Sequence, residues 1–160
     1  MFRLSQEHLV LLLQWAAERY RVFVPVRWGE HLRFQRLDGG VAPDFVVGEV
    51  RTVEPAKAFY FAPRACVVRD FDAAIPSSPE KPVCLVGVKA CDLRGLEVLD
   101  RAFLDTDPPE PLYAQARESG LIIASDCTRA LETCFCTALD AGPYPRRGFD
   151  LNLSPCDGAY

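Results

Sequence analysis

The sequence lacks an excess of positive charge, a long hydrophobic run, a glycine-rich phosphate loop and more than two histidines. Lysine and arginine together number 18, against 22 aspartate and glutamate residues, which gives a net charge of -4. A protein that binds nucleic acid needs a basic surface to displace phosphate counterions, so this composition argues against that class. The basic pair at 146–147 is interpreted as a solvated turn, and the glycines around residues 87–95 make no nucleotide-binding fingerprint.

No segment is apolar for long enough to serve as a secretion signal or a membrane span. Polar and charged side chains flank the apolar run 9–13, whereas a spanning helix needs about 20 apolar residues. We therefore expect a cytoplasmic protein with reduced thiols and no membrane partner. The histidines, His8 and His31, lie in the first forty residues on unrelated elements. A cysteine–histidine nucleophile pair is disfavoured for that reason.

The length and the composition are those of one globular domain. A chain of 160 residues with 49% hydrophobic and 25% charged residues can bury a core but is short for two full domains. We expect a single α/β domain over residues 1–160. Residues 1–48 are predicted to form a helix and a hairpin, and residues 49–160 a cysteine-bearing cluster region.

The amino-terminal region carries helix and hairpin signals. Apolar residues at helical spacing predict a helix over residues 6–20, with Ser5 as its N-cap and Trp15 in the core. Alternating apolar residues predict two strands of a hairpin over residues 22–37, with His31 as an exposed strand residue. The aromatic run 59–61 is interpreted as a docking segment, an edge strand or core packing, of which core packing is preferred.

The second half of the chain has the pattern of a crossover unit. The continuous apolar runs 83–88 and 121–124 predict buried parallel strands, and the patterns over 92–103 and 108–119 predict the helices between them. The predicted fold class is α/β. It comprises the N-terminal helix and β-hairpin followed by a small mixed or parallel sheet with crossover helices. A cysteine-bearing loop lies at the carboxyl edge of that sheet.

Four of the seven cysteines follow these two strands. Cys91 comes after the first strand and Cys127 after the second, while Cys134 and Cys136 lie in a loop that ends at residues 142–143. Parallel strands bring their carboxyl ends to one edge, where ligands of open α/β sheets bind. Four thiolates satisfy the ligand count of a zinc ion or of an iron–sulfur cluster. Cys91, at the start of a helix, is predicted to ionise easily.

The other cysteines and the neighbouring carboxylates receive ordinary structural roles. Cys66 and Cys84 lie in apolar runs and are predicted to be packing residues, and Cys156 has no companion near the end of the chain. Asp92 and Asp126, which flank cluster cysteines, are predicted to cap the helices that follow them.

The motifs around these cysteines resemble a known family. The segments are GVKACDL at 87–93, DC at 126–127, CFC at 134–136, GP at 142–143 and FDL at 149–151. They are similar to the iron–sulfur (beta) subunits of cytosolic sulfhydrogenases. They also resemble the related iron–sulfur subunits of anaerobic sulfite reductases, among the four-iron dicluster proteins. The likeness covers roughly residues 50–155 and includes EPAK at 54–57 with PR at 63–64.

The resemblance implies an electron-transfer protein that makes no bonds itself. Such a protein relays electrons between a partner that carries flavin and uses NAD(P)H and a catalytic subunit that reduces protons, sulfur or sulfite. Lys89 and Ala90 replace the arginine and proline usual before the first cysteine, and Asp126 replaces an asparagine; these departures are expected to tune the site. Carried over by residue, the ligands of one [4Fe–4S] cluster are Cys91, Cys127, Cys134 and Cys136.

Two alternatives stay open, and the resemblance also implies a further module. Members of the family continue into a ferredoxin-like module, which does not follow residue 150. The chain is accordingly expected to be a natural amino-terminal half, a split subunit or a fragment. One alternative function is a structural zinc or iron–sulfur module that docks larger subunits. The other is a thiol-redox protein that uses Cys134 and Cys136.

Overall fold

A computed structural model describes residues 2–38, 44–61 and 81–160. Five strands form one sheet in the order β2-β1-β3-β4-β5, and helices accompany it. The helices are α1 (Gln6–Ala17), α2 (Ala90–Phe103) and α3 (Pro111–Ser119), with short 3₁₀ helices at Ala56–Phe59 and Cys136–Leu139. The strands are β1 (Arg21–Trp28), β2 (His31–Arg36), β3 (Val83–Val88), β4 (Leu121–Ser125) and β5 (Leu151–Leu153).

The sheet is mixed, which confirms the predicted α/β class. Strands β1 and β2 form the predicted antiparallel hairpin, and His31 is exposed as expected. Strands β1, β3, β4 and β5 run parallel to one another. Helices α2 and α3 form the crossover between β3 and β4, so the carboxyl ends of these strands meet at one edge.

Strand β5 is the element that the sequence analysis missed. It has three residues and pairs with β4 from Ile123 to Ser125, which is too short for an alternating pattern to register. The preceding residue fixes it in place, since the Asp150 carboxylate accepts a hydrogen bond from the backbone N–H of Ile122 at 2.8 Å.

Side chains cover both faces of the sheet, which explains why every residue of β3 is buried. On one face α1 packs against β1, β3 and β4, and Cys84 belongs to this core. On the other face α2, α3 and the 3₁₀ helix Ala56–Phe59 pack against the sheet around the buried Tyr113 and Tyr60. The continuous apolar pattern of β3 is therefore that of a central strand between two cores, and Cys84 is the packing residue predicted.

Helix α1 confirms the predicted element but corrects the position of Trp15. The Ser5 side chain caps the helix by accepting from the His8 N–H at 3.2 Å, and the buried stripe consists of Leu9, Leu13 and Ala16. Trp15 is 51% exposed because successive residues turn by about 100° around a helix, which places it beside the stripe. The Arg19 guanidinium lies 4.9 Å from its ring centre.

The aromatic run 59–61 belongs to the protein's own core and not to an edge strand. It follows the 3₁₀ helix Ala56–Phe59; Tyr60 is buried, and Phe59 packs on the same core. Phe61 is partly exposed and stacks on Phe103. The predictions for Cys66 and for the PR motif at 63–64 fall outside the described residues. Within the part of the chain that the structure describes, no helix is both long and apolar enough to cross a membrane.

Candidate functional site

Cys91 lies in the first turn of α2, directly after the carboxyl end of β3. The chain reaches it through a bulge at Gly87, where the pairing of β3 with β4 shifts register and φ is +78°. A β-carbon at Gly87 would come within 2.9 Å of Pro25 on the neighbouring strand, so a side chain there would push the strands apart. The Asp92 carboxylate accepts from the Lys89 N–H at 3.3 Å. It thus performs the capping role predicted for it.

Cys127 lies two residues beyond the end of β4, and backbone hydrogen bonds fix its position. Its N–H donates to the Pro143 carbonyl at 2.7 Å, and the next N–H, that of Thr128, donates to the Gly48 carbonyl at 2.9 Å. The Thr128 hydroxyl donates to the same carbonyl at 3.1 Å. The residue before Cys127 corrects a prediction. Asp126 caps no helix and instead accepts from the Asn152 side-chain amide at 2.8 Å.

Cys134 and Cys136 lie in a loop that folds back on itself. The Leu131 N–H donates to the Cys134 sulfur at 3.1 Å, and the Cys134 N–H donates to the Leu131 carbonyl at 3.0 Å. Cys136 begins a 3₁₀ helix, and its carbonyl accepts from the Ala141 N–H at 2.9 Å. The loop thus holds its two thiols through local backbone bonds.

The four predicted cysteines line one small pocket. The volume of this pocket is about 30 Å³, roughly that of one water molecule. Its remaining lining is mostly apolar or backbone, and Phe135 between the loop cysteines lines it while staying half exposed. Among the described residues no group of three or more His, Cys, Asp or Glu side chains is arranged to hold a metal ion. The lining residues are Val50, Arg51, Ala90, Cys91, Cys127, Thr133, Cys134, Phe135, Cys136 and Gly142.

The sequence analysis did not predict the buried charge beside this pocket. Lys89 is only 3% exposed, and its ammonium group donates to the Ser125 hydroxyl and, at 3.4 Å, to the Asp126 carbonyl. The lysine thereby joins the carboxyl ends of β3 and β4. Burial lowers the pKa of Lys89, and the nearby Cys127 and Asp92 oppose that shift. A lysine in an otherwise apolar segment before a cysteine was the only signal in the sequence.

The thiols of the pocket are harder to ionise than their position at a helix start suggests. Burial, followed by the neighbouring Asp92 and Cys127, raises the pKa of Cys91 to about 11. Burial also raises the pKa of Cys127, although Lys89 lowers it in part. The prediction that Cys91 ionises easily is therefore wrong for the protein without metal, because desolvation outweighs the helix terminus.

The cysteines outside the pocket are separate from this site. Cys84 is fully buried in the core, and Cys156 is exposed close to the end of the chain. Of the basic pair at 146–147, Arg147 is exposed as predicted but is not merely solvated, because it makes two hydrogen bonds to Glu97 on α2. The structure thus brings Cys91, Cys127, Cys134 and Cys136 to one place and leaves Cys84 and Cys156 elsewhere.

The fold and the pocket define a class: an α/β domain with a cysteine-lined pocket at the carboxyl edge of its parallel strands. The chain is 29% identical over 134 residues to sulfhydrogenase 2 subunit beta of Pyrococcus furiosus. The match covers 83% of this chain and 39% of that protein, so the chain spans well under half the length of this relative. It confirms the family predicted from the cysteine motifs: the chain is related to the beta subunits of sulfhydrogenases. No family model and no solved structure matches the chain.

Proposed function

We propose that this chain holds one [4Fe–4S] cluster through Cys91, Cys127, Cys134 and Cys136 and serves as an electron-transfer part of a sulfhydrogenase-type complex. The observation that carries the proposal is that these four cysteines, from two strand ends and one loop, line a single pocket. A bound cluster supplies one-electron transfer, whose potential depends on burial and on hydrogen bonds to sulfur. The similarity to a sulfhydrogenase beta subunit supports the same assignment.

The donor set of the pocket fits the cluster. Four thiols satisfy its ligand count, and the Leu131 N–H already donates to the Cys134 sulfur. Because burial raises the thiol pKa values of Cys91 and Cys127, binding must displace protons that these thiols hold at neutral pH. The buried ammonium of Lys89 provides positive charge beside the thiolates that result.

The size of the pocket adds a requirement. Its volume of about 30 Å³ is too small for a group much larger than one water molecule. The loop that carries Cys134 and Cys136 must therefore move outward when a cluster binds. Residues 128–135 of this loop are all exposed, so the movement breaks no core packing.

Anaerobic reconstitution tests the ligand assignment directly. We expect iron and acid-labile sulfide in equal amounts, about four of each per chain, with electron paramagnetic resonance of the reduced protein reporting the cluster. Single Cys→Ser changes at the four positions should each lower the iron content severalfold. Cys156→Ser is the matched control, because Cys156 is exposed and does not line the pocket, and it should retain full iron.

Other outcomes of the same experiment favour the alternatives. One zinc per chain and no iron, again lost in the four variants, would favour a structural metal module. No stoichiometric metal together with a reversible Cys134–Cys136 disulfide, detected by mass spectrometry, would favour a thiol-redox protein. Full iron in the Cys127→Ser variant would contradict the proposed ligand set.

The place in a complex is the second part of the proposal. We infer that the chain passes electrons between a flavin-bearing partner that uses NAD(P)H and a catalytic subunit. The complex purified anaerobically from its native host should contain flavin, and NAD(P)H should bleach the visible absorption of the cluster. A complex whose iron on this chain stays oxidised while the catalytic subunit turns over would contradict the relay.

A further inference from the structure

A second cavity lies next to the cysteine pocket and belongs to none of the chemistry described above. It has a volume of about 340 Å³, within the range of about 300–1,000 Å³ typical of small-molecule sites. One wall is the first half of α2, and the other is the segment that follows the cysteine loop. Ala90 and Gly142 line both cavities. The further lining residues are Leu93, Arg94, Glu97, Leu139, Asp140, Ala141, Tyr144, Pro145, Arg146 and Arg147.

The charge of this cleft is positive although the chain as a whole is acidic. Three guanidinium groups line it, against the two carboxylates of Glu97 and Asp140, while the chain carries a net charge of -4. A local excess of arginine in a concave site concentrates anions there. Guanidinium groups suit phosphate in particular, because their planar N–H donors match two of its oxygens at once.

Glu97 holds two of these arginines side by side. Its carboxylate accepts from Arg147 Nε at 2.7 Å and from Arg147 Nη2 at 3.1 Å, and it also accepts from Arg94 Nη1. Each guanidinium has five N–H donors, so donors remain on both groups after these bonds. A single carboxylate cannot neutralise two arginines. The pair therefore presents orientated donors and one net positive charge to the cleft.

The far side of the cleft offers a flat surface. Tyr144 is half exposed, and the Arg146 guanidinium lies 5.8 Å from the centre of its ring. Aromatic rings and guanidinium planes are the surfaces on which nucleobases stack. The cleft thus combines a site for phosphate with a site for a planar ring.

We propose that this cleft binds a phosphate-bearing planar molecule about the size of a mononucleotide. Arg94 and Arg147 contact the phosphate, and Tyr144 with Arg146 contacts the ring. The ligand lies beside the cysteine pocket, since the two cavities share a wall. The proposal does not depend on a cluster, because every residue that carries it lies outside the four cysteines.

Isothermal titration calorimetry on the iron-free 160-residue chain at low ionic strength tests it, with AMP, adenosine and inorganic phosphate as probes. We expect saturable binding of one AMP, at least tenfold weaker binding of phosphate and no measurable binding of adenosine. Arg147→Gln should weaken AMP binding at least tenfold. This arginine is 71% exposed, so its replacement leaves the core intact, and circular dichroism checks the fold. Arg36→Gln on β2, which is also exposed, should bind AMP as the unmodified chain does.

Three results would overturn the proposal. They are the absence of saturable AMP binding, equal AMP affinity in the Arg147→Gln variant, and equal affinity for adenosine and AMP. Equal affinity for inorganic phosphate and AMP would also overturn it, because the ring would then contribute nothing. None of these results depends on iron content, so failure here is distinct from failure of the proposed cluster.

Discussion

Lys89 is the residue whose environment says most about the site. A buried ammonium group is costly unless it is paired, and this one has two oxygen acceptors but no carboxylate in direct contact among the interactions of the described residues. Its neighbours include Cys127 and Cys91, both neutral while protonated. The charge is therefore poorly compensated in the metal-free protein and becomes well compensated when the thiols are ligating thiolates.

Replacing Lys89 separates this electrostatic role from a packing role. Lys89→Met keeps most of the side-chain volume and removes the charge. We expect the midpoint potential of the bound cluster to become more negative, because the ammonium stabilises the reduced, more negative form. The iron-free protein should change in stability by no more than about 1–3 kcal/mol, the cost of the lost bond to Ser125. Redox titration and thermal unfolding measure the two effects.

The matched control is Lys89→Arg, which retains the charge and should leave the potential nearly unchanged. An unshifted potential in a Lys89→Met protein that holds full iron would show that the lysine only joins the two strand ends. A protein that holds no cluster in its unmodified form would refute the proposed function itself, which is a different outcome.

At the scale of elements, α2 and α3 are held together by one polar cluster. The Asp100 carboxylate on α2 accepts two bonds from Arg117, at 2.8 and 2.9 Å, and one from the Tyr113 hydroxyl at 2.7 Å. The Arg117 guanidinium also lies over the ring of Tyr60 at 5.1 Å. Burial alone would raise the pKa of Asp100, but the bonds from Arg117 and Tyr113 outweigh it, so the pKa is lowered.

This lowered pKa predicts an acid dependence of stability. A carboxylate whose pKa is lower in the folded state stabilises the fold fully above its ordinary pKa of 3.8, and that stabilisation is lost as the pH falls through the lowered value. Asp100→Asn should cost about 1–2 kcal/mol at pH 7 and flatten the loss of stability below pH 4. Urea unfolding across the acid range measures this effect.

The control for this prediction is an exposed aspartate at the end of the same helix. Asp105→Asn, just beyond α2, should change stability little at either pH. If Asp100→Asn and the unmodified chain lost stability in parallel on acidification, Asp100 would not be the group responsible.

At the scale of the whole molecule, the sequence predicted what depends on periodic patterns. The continuous apolar runs identified β3 and β4 as buried parallel strands, and from their shared edge the joint position of Cys91 and Cys127 followed. What it did not predict depends on contacts between distant residues. Leu151–Leu153 becomes a strand only because β4 offers it an edge, and the Glu97–Arg147 contact joins residues 50 positions apart. The ionisation of Cys91 was misjudged for the same reason, since burial is a property of the assembled fold.

The assembled fold also separates the core from the cysteine loop. Neither hydrophobic core contains any of the four pocket cysteines, and residues 128–135 are exposed. Removing iron with a chelator should therefore leave the sheet folded while the loop loses order. We expect hydrogen exchange to accelerate at least tenfold in residues 128–142 and to stay unchanged in β3, which serves as the internal control. Cooperative unfolding of the whole chain on iron removal would contradict this independence, because the cluster would then be needed to stabilise the fold.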